Sequence, residues 1–90
     1  MKKFAFIGAG SFIFTRNLVR DLLSFPAFED CELALMDTDP ERLERITAAV
    51  RKINAAMGAH AKITPTQSRA EALSGADGVL CTVFNGGIAL

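Results

Sequence analysis

Phe4-Ala5-Phe6-Ile7-Gly8-Ala9-Gly10-Ser11 runs from a continuous apolar stretch into two glycines and a serine. Four apolar residues in a row suit a strand buried on both faces. Glycines placed directly after it let the backbone turn tightly and come close to a ligand. Working outward, a second apolar run, Leu33-Ala34-Leu35-Met36, ends in Asp37, twenty-nine residues past Gly8. Strand, glycine turn, helix, strand and acid make the layout of a dinucleotide-binding βαβ unit. Phosphate contacts are expected from the backbone N–H groups of Gly10, Ser11 and Phe12. There a helix N-terminus offers free donors and a positive dipole end. The Ser11 hydroxyl is a cap or a ligand. A glycine turn that binds nothing is the plain alternative.

Asp37 decides between cofactors. A carboxylate at the end of the second strand suits two ribose hydroxyls and repels a 2′-phosphate. Thr38 follows it, not an arginine, which favours NAD over NADP. Asp39 could be mistaken for the second half of a catalytic or metal-binding carboxylate pair. With Pro40 behind it, Asp39 reads better as a helix N-cap. The usual third glycine of the motif falls at Ile13. Its absence is expected to shift the helix slightly and leave the phosphate turn intact.

The rest of the chain repeats the alternation. Residues 3–8 read as the first strand. A helix is expected from Phe12 to about Phe25, with Phe14, Leu18 and Leu22 four apart and Val19 and Leu23 beside them. Residues 31–37 form the second strand. A second helix then carries Leu43, Ile46, Val50, Ile53 and Met57 on one stripe and stops at Gly58. Arg42, Glu44, Arg45, Arg51 and Lys52 lie off that stripe, on a solvated face. Lys62-Ile63-Thr64-Pro65 is a strand that its proline confines to an edge. Ser68 with Glu71 is a capping-box pattern opening a short helix. Gly78 to Phe84 is the fourth strand, and Asn85-Gly86-Gly87 is the loop after it. That loop leaves the sheet on the side of the first glycine turn, so Asn85 is a candidate cofactor contact; a flexible turn is the alternative. The pattern βαβαβαβ with right-handed crossovers gives an α/β, Rossmann-like parallel sheet of order 3-2-1-4. Such folds normally add further strands, so residues 1–90 are expected to be the N-terminal part of a dinucleotide-binding domain in a longer enzyme.

Composition narrows the partners. Ten basic and ten acidic residues cancel, leaving no basic field to attract nucleic acid or anionic lipid. The start, Met1-Lys2-Lys3, leads into too short an apolar run for a signal peptide or a membrane span. The chain reads as cytoplasmic. Cys31 and Cys81 fall in strands, where a cysteine is usually a small buried hydrophobe, and a disulfide is not expected in that compartment. His60 is the only histidine and sits in a solvated loop, so no metal site is expected within the chain.

With those residues in place, the chain resembles the N-terminal part of glycoside hydrolase family 4. These are NAD- and divalent-metal-dependent α-galactosidases, α-glucosidases and 6-phospho-glycosidases. The resemblance rests on Phe6-Ile7-Gly8-Ala9-Gly10-Ser11, on Asn17-Leu18 with Asp21, and on Ala34-Leu35-Met36-Asp37 with Asp39 and Arg42-Leu43-Glu44. Glu71-Ala72-Leu73, Ala76-Asp77 and Gly86-Gly87 extend it. The Ala-Leu-Met-Asp run resembles the α-galactosidase-like branch most. The resemblance implies hydrolysis by NAD-dependent oxidation at the sugar's C3, elimination of the aglycone and addition of water, with manganese the usual metal. It differs from the two-carboxylate glycosidase scheme. It implies Gly8, Gly10, Ser11 and Phe12 at the phosphates and Asp37 at the adenosine ribose. The family's metal-binding cysteine and histidine and its catalytic base lie beyond residue 90, and Cys81 is not that cysteine. No catalytic or metal residue is therefore assigned here, and the chain alone is expected to be inactive. Its substrate would be a glycoside, and the whole enzyme a homo-oligomer. Phe84 and Asn85 depart from the residues that family members often carry before the double glycine. Two other readings stay open: a regulatory nucleotide-binding module, and part of an NAD-dependent hydroxy-acid dehydrogenase.

Overall fold

A computed structural model describes residues 2–9, 12–28 and 30–81, with Phe12, Ala27 and Cys81 described by their backbone alone. Strand β1 (Lys3–Ile7) is followed by helix α1 (Phe12–Leu23) and a 3-10 turn (Pro26–Phe28). Then come β2 (Glu32–Met36), α2 (Pro40–Ala56), β3 (Lys62–Thr66), α3 (Arg69–Leu73) and β4 (Gly78–Cys81). The four strands form one parallel sheet in the order β3-β2-β1-β4. This is the expected Rossmann-like α/β arrangement. No helix among the described residues is long and apolar enough to cross a membrane.

Strand alternation sorts the core into two layers. On one face Phe6, Leu33 and Leu35 meet Val19 and Leu23 of α1 and Leu43, Ile46 and Val50 of α2. On the other, Ala5, Ala34 and Met36 meet Ala72 of α3. The small alanines leave room for the five-residue α3 to lie close to the sheet. The strands thus carry near-continuous apolar runs because both faces are covered.

Local chemistry sets the helix ends. Asp39 Oδ1 accepts from the N–H groups of Glu41 and Arg42 at 3.0 and 3.3 Å, and Pro40 opens α2 as expected. Gly58, at φ +67°, ends it, donating to the Ala55 carbonyl at 3.1 Å. Ser68 caps α3, its Oγ accepting from the Glu71 N–H at 3.2 Å. The reciprocal arm of the expected capping box is relayed. Ser68 N–H donates to Thr66 Oγ1, whose hydroxyl donates in turn to Glu71 Oε1 at 2.7 Å.

Four expectations are corrected. The inner stripe of α1 is Thr15, Val19 and Leu23, while Phe14 is 45% exposed. A threonine can occupy that stripe because its hydroxyl is satisfied there, donating to the Ala9 carbonyl at 2.9 Å. Met57 follows the last turn of α2 as its C-cap, and so falls off the buried stripe at 41% exposure. Helix α1 ends at Leu23, two residues short of Phe25. Pro26 starts the 3-10 turn there, and Phe28 packs edge-on against Phe4 with ring centroids 5.3 Å apart. β1 and β2 stop one residue early, at Ile7 and Met36. Gly8 leaves the strand through its positive φ of +78°. The expected continuation of the fourth strand, residues 82–84, lies outside the described residues.

Candidate functional site

The carboxyl ends of β1, β2 and β3 lie side by side, and the chain leaves each of them in a short turn. In an open parallel sheet this edge is where ligands bind. Gly8 follows β1, Asp37 follows β2, and Gln67 follows β3.

The glycine turn is anchored to β2. The N–H groups of Gly8 and Ala9 both donate to the Met36 carbonyl, at 2.9 and 2.8 Å. A φ of +78° at Gly8 is a conformation that side chains resist. Ala9 is fully buried, and its own carbonyl takes the Thr15 hydroxyl bond. The turn is therefore gripped from β2 on one side and from the first turns of α1 on the other. The amide of Gly8 is spent within the protein, so its part in an anion site is the shape of the turn. The donors expected to face a phosphate are the next ones along. Of these, Gly10 and Ser11 lie outside the described residues, and Phe12 is the first residue of α1.

Asp37 sits one residue beyond the carbonyl that holds the glycine turn. It is 7% exposed. Its backbone N–H donates to the Thr66 carbonyl at 3.3 Å, tying it to the end of β3. Its Oδ1 accepts from the Asp39 N–H at 2.9 Å. The carboxylate is thus held close to the glycine turn by the Asp39 amide. Asp39 is a cap and not a second site acid. Its carboxyl is held below the ordinary range, first by the Arg42 backbone N–H and further by the Glu41 N–H and the Arg42 side chain. Arg42 Nε lies 3.5 Å from Asp39 Oδ2.

Ile13, at the place of the usual third glycine, is 69% exposed, so its side chain does not wedge the helix from the sheet. His60 is exposed in the loop after α2. Cys31, just before β2, is buried, and burial raises its thiol above the ordinary value. Among the described residues no group of three or more histidine, cysteine, aspartate or glutamate side chains could hold a metal. Asn85, with Gly86 and Gly87, lies outside the described residues.

Three residues that sequence pattern does not single out build this edge. Thr15 bonds the glycine turn, Thr66 receives the Asp37 amide, and Gln67 Nε2 donates to the Thr38 carbonyl at 3.0 Å. Thr15 shares the four-residue spacing of Val19 and Leu23, a signal that was present in the sequence. A groove opens beside Gln67 between α2 and β3, with Pro40, Leu43, Thr47 and Pro65 among its walls.

Comparison with known proteins agrees with this architecture. Residues 3–89 match the family model described as Family 4 glycosyl hydrolase. Over 86 residues, 96% of this chain, the sequence is 38% identical to a protein of Rhizobium meliloti (strain 1021) named alpha-galactosidase, covering 18% of that protein. Over 87 residues, 97% of this chain, it is 36% identical to an alpha-galactosidase of Bacillus subtilis (strain 168), covering 20% of it. The chain thus spans about a fifth of the length of these curated relatives.

Proposed function

Since this chain belongs to glycosyl hydrolase family 4, we propose that it is the NAD-binding portion of an α-galactosidase-like glycoside hydrolase. The observation that carries the reading is the shared carbonyl of Met36. It holds the glycine turn next to the buried Asp37, so a phosphate-binding turn and a ribose-binding acid stand together. The two relatives named alpha-galactosidase support the substrate class.

The residues of this chain bind and orient. Gly8 shapes the turn, and the amides at Gly10, Ser11 and Phe12 receive the pyrophosphate. Asp37 accepts from the adenosine ribose hydroxyls and disfavours a 2′-phosphate, which selects NAD. Asn85 lies toward the nicotinamide end. NAD, when bound, supplies a reversible hydride acceptor for oxidation at the sugar's C3. The divalent metal that assists the following step, manganese by resemblance, finds no ligand set among the described residues. Its ligands and the catalytic base are assigned to the rest of the enzyme, a cytoplasmic homo-oligomer acting on glycosides. The family match supports this reading over a regulatory nucleotide sensor or a hydroxy-acid dehydrogenase.

The test is calorimetric titration of the full-length protein with NAD and NADP, together with hydrolysis of nitrophenyl α-galactoside before and after dialysis against a chelator. The proposal expects NAD binding, an NAD requirement and loss of activity with the metal. Residues 1–90 alone are expected to release no nitrophenol. Activity of the full-length protein in the absence of NAD would overturn the proposal.

A further inference from the structure

Helix α2 buries Leu43, Ile46 and Val50 against the sheet, and a second stripe on it stays exposed. That stripe is Glu44, Ala48, Arg51 and Ala55, at spacings of four, three and four. Such spacing sets the four residues in one row along the helix. Glu44 and Arg51 stand seven positions apart, about 10 Å along the axis, too far to pair within one helix. Neither enters an ion pair among the described residues. Between them lies only Ala48, small enough to let another backbone come close.

The row is complementary to itself. When a second α2 lies antiparallel across it, with the two-fold axis passing between Thr47 and Ala48, Glu44 faces the partner's Arg51 and Arg51 faces the partner's Glu44. A two-fold contact makes every such pair twice. Glu44, Ala48 and Arg51 also wall the groove between α2 and β3, whose floor is Leu43 and Pro65, so the row borders apolar surface that a partner helix would cover.

The neighbouring sheet edge leaves the contact to the helices. On this side β3 is the outermost described strand. The Lys62 N–H and the Thr66 carbonyl are spent on β2 and on Asp37, so strand alternation turns the backbone of Ile63 and Pro65 outward. Pro65 has no N–H to give, which blocks strand-to-strand pairing of two copies.

We infer that the exposed row of α2 is an interface between two copies of this chain, with reciprocal Glu44–Arg51 pairs about a two-fold axis beside Ala48. The inference rests on the homo-oligomer of the proposed function and is independent of the cofactor.

The experiment is sedimentation velocity of the full-length protein over a dilution series, with Glu44→Arg, Arg51→Glu and the double reversal. The wild type is expected to associate. Each single reversal sets like charges face to face at two symmetric places and should weaken association roughly tenfold or more, taking a dimer to monomers or a tetramer to dimers. The double reversal rebuilds both pairs and should recover most of the loss, which damage to the fold would not allow; thermal melts of the variants check this. A wild type that stays monomeric overturns the inference. So do single reversals that leave association unchanged, or a double reversal as weak as either single. Titration of the same variants with NAD is expected to match the wild type, so a failure of the NAD reading shows separately.

Discussion

The backbone N–H of Asp39 donates to Asp37 Oδ1 at 2.9 Å, so the residue that caps α2 also aims the acid beside the glycine turn. The two aspartates form one device. Asp39 gives its side chain to the helix and its amide to Asp37, and the helix start thereby fixes the carboxylate before any ligand arrives. Orientation prepared in this way lowers the ordering cost of binding.

Removing the acid tests the device directly. Asp37→Ala is expected to weaken NAD binding by about 1.5–3 kcal/mol, as for a lost hydrogen-bonding group that carries charge. Asp37→Asn keeps an acceptor for the Asp39 amide and loses the charge, so it should chiefly relax discrimination against NADP. Calorimetry with both cofactors reads both effects. Tighter binding of NADP than of NAD by the wild type is the outcome that sinks this assignment.

Asp39 makes the helix sensitive to acid. Its carboxyl lies below the ordinary value of 3.8 because folded-state N–H groups, that of Arg42 first, stabilise the charge. The unfolded chain therefore takes up the proton more readily. The stabilisation is complete above the unfolded value and is lost as pH falls through the folded one. Urea titrations of wild type and Asp39→Asn across acidic pH should show a stability difference that shrinks below pH 3.8. A difference that is constant with pH would refute the assignment.

Cys31 should behave in the opposite direction. Burial lifts its thiol above 9.0, more than its own backbone hydrogen bond lowers it. An acid with a raised folded value contributes stability below the unfolded value and loses it as pH rises through the folded one. The fold should weaken above pH 9.0, and Cys31→Ser should remove that part of the alkaline loss. Iodoacetamide labelling followed by mass spectrometry should find Cys31 protected until denaturant is added.

Two substitutions in one helix separate its inner and outer faces. Leu23→Ala removes a buried side chain from the main core and should cost about 2–5 kcal/mol in urea unfolding of the chain. Phe14→Ala, nine residues earlier and 45% exposed, should cost much less. Equal losses would restore the stripe of Phe14, Leu18 and Leu22 that periodicity suggests.

That helix also shows what periodicity can and cannot reveal. The sheet order was legible because continuous apolar runs, a strand-edge proline at Pro65 and crossover handedness leave few arrangements. The start of α2 was legible because Asp39-Pro40 states its own cap chemistry. The face of α1 was not, because an apolar count gives Phe14 to the core and Thr15 to solvent. Only the bond from Thr15 to the Ala9 carbonyl reverses that assignment, and it depends on where the turn lies in space. The site divides in the same way. Gly8 and Asp37 announce themselves by residue type and spacing. Gln67 does not, because its meaning comes from β3 lying next to β2, a relation between strands 32 residues apart at Glu32 and Thr64.

Of the four described strands the earliest in the chain, β1, lies inside the sheet, and this bears on the order in which they can assemble. Lys3 closes the β4 side of β1. Its amide donates to Asp77 Oδ2, its carbonyl accepts from the Asp77 N–H at 2.7 Å, and its ammonium reaches the Ser74 carbonyl at 2.6 Å. The partners in the first of these bonds are 74 residues apart in sequence. During synthesis β1 can pair with β2, and β2 with β3, while its other edge still waits. Closing so long a loop comes at the greatest entropic cost in the sheet. The bonds of Lys3 therefore act as a latch that holds β4 once it arrives. Weakening them should slow completion of the sheet more than it disturbs the β1–β2–β3 half already in place.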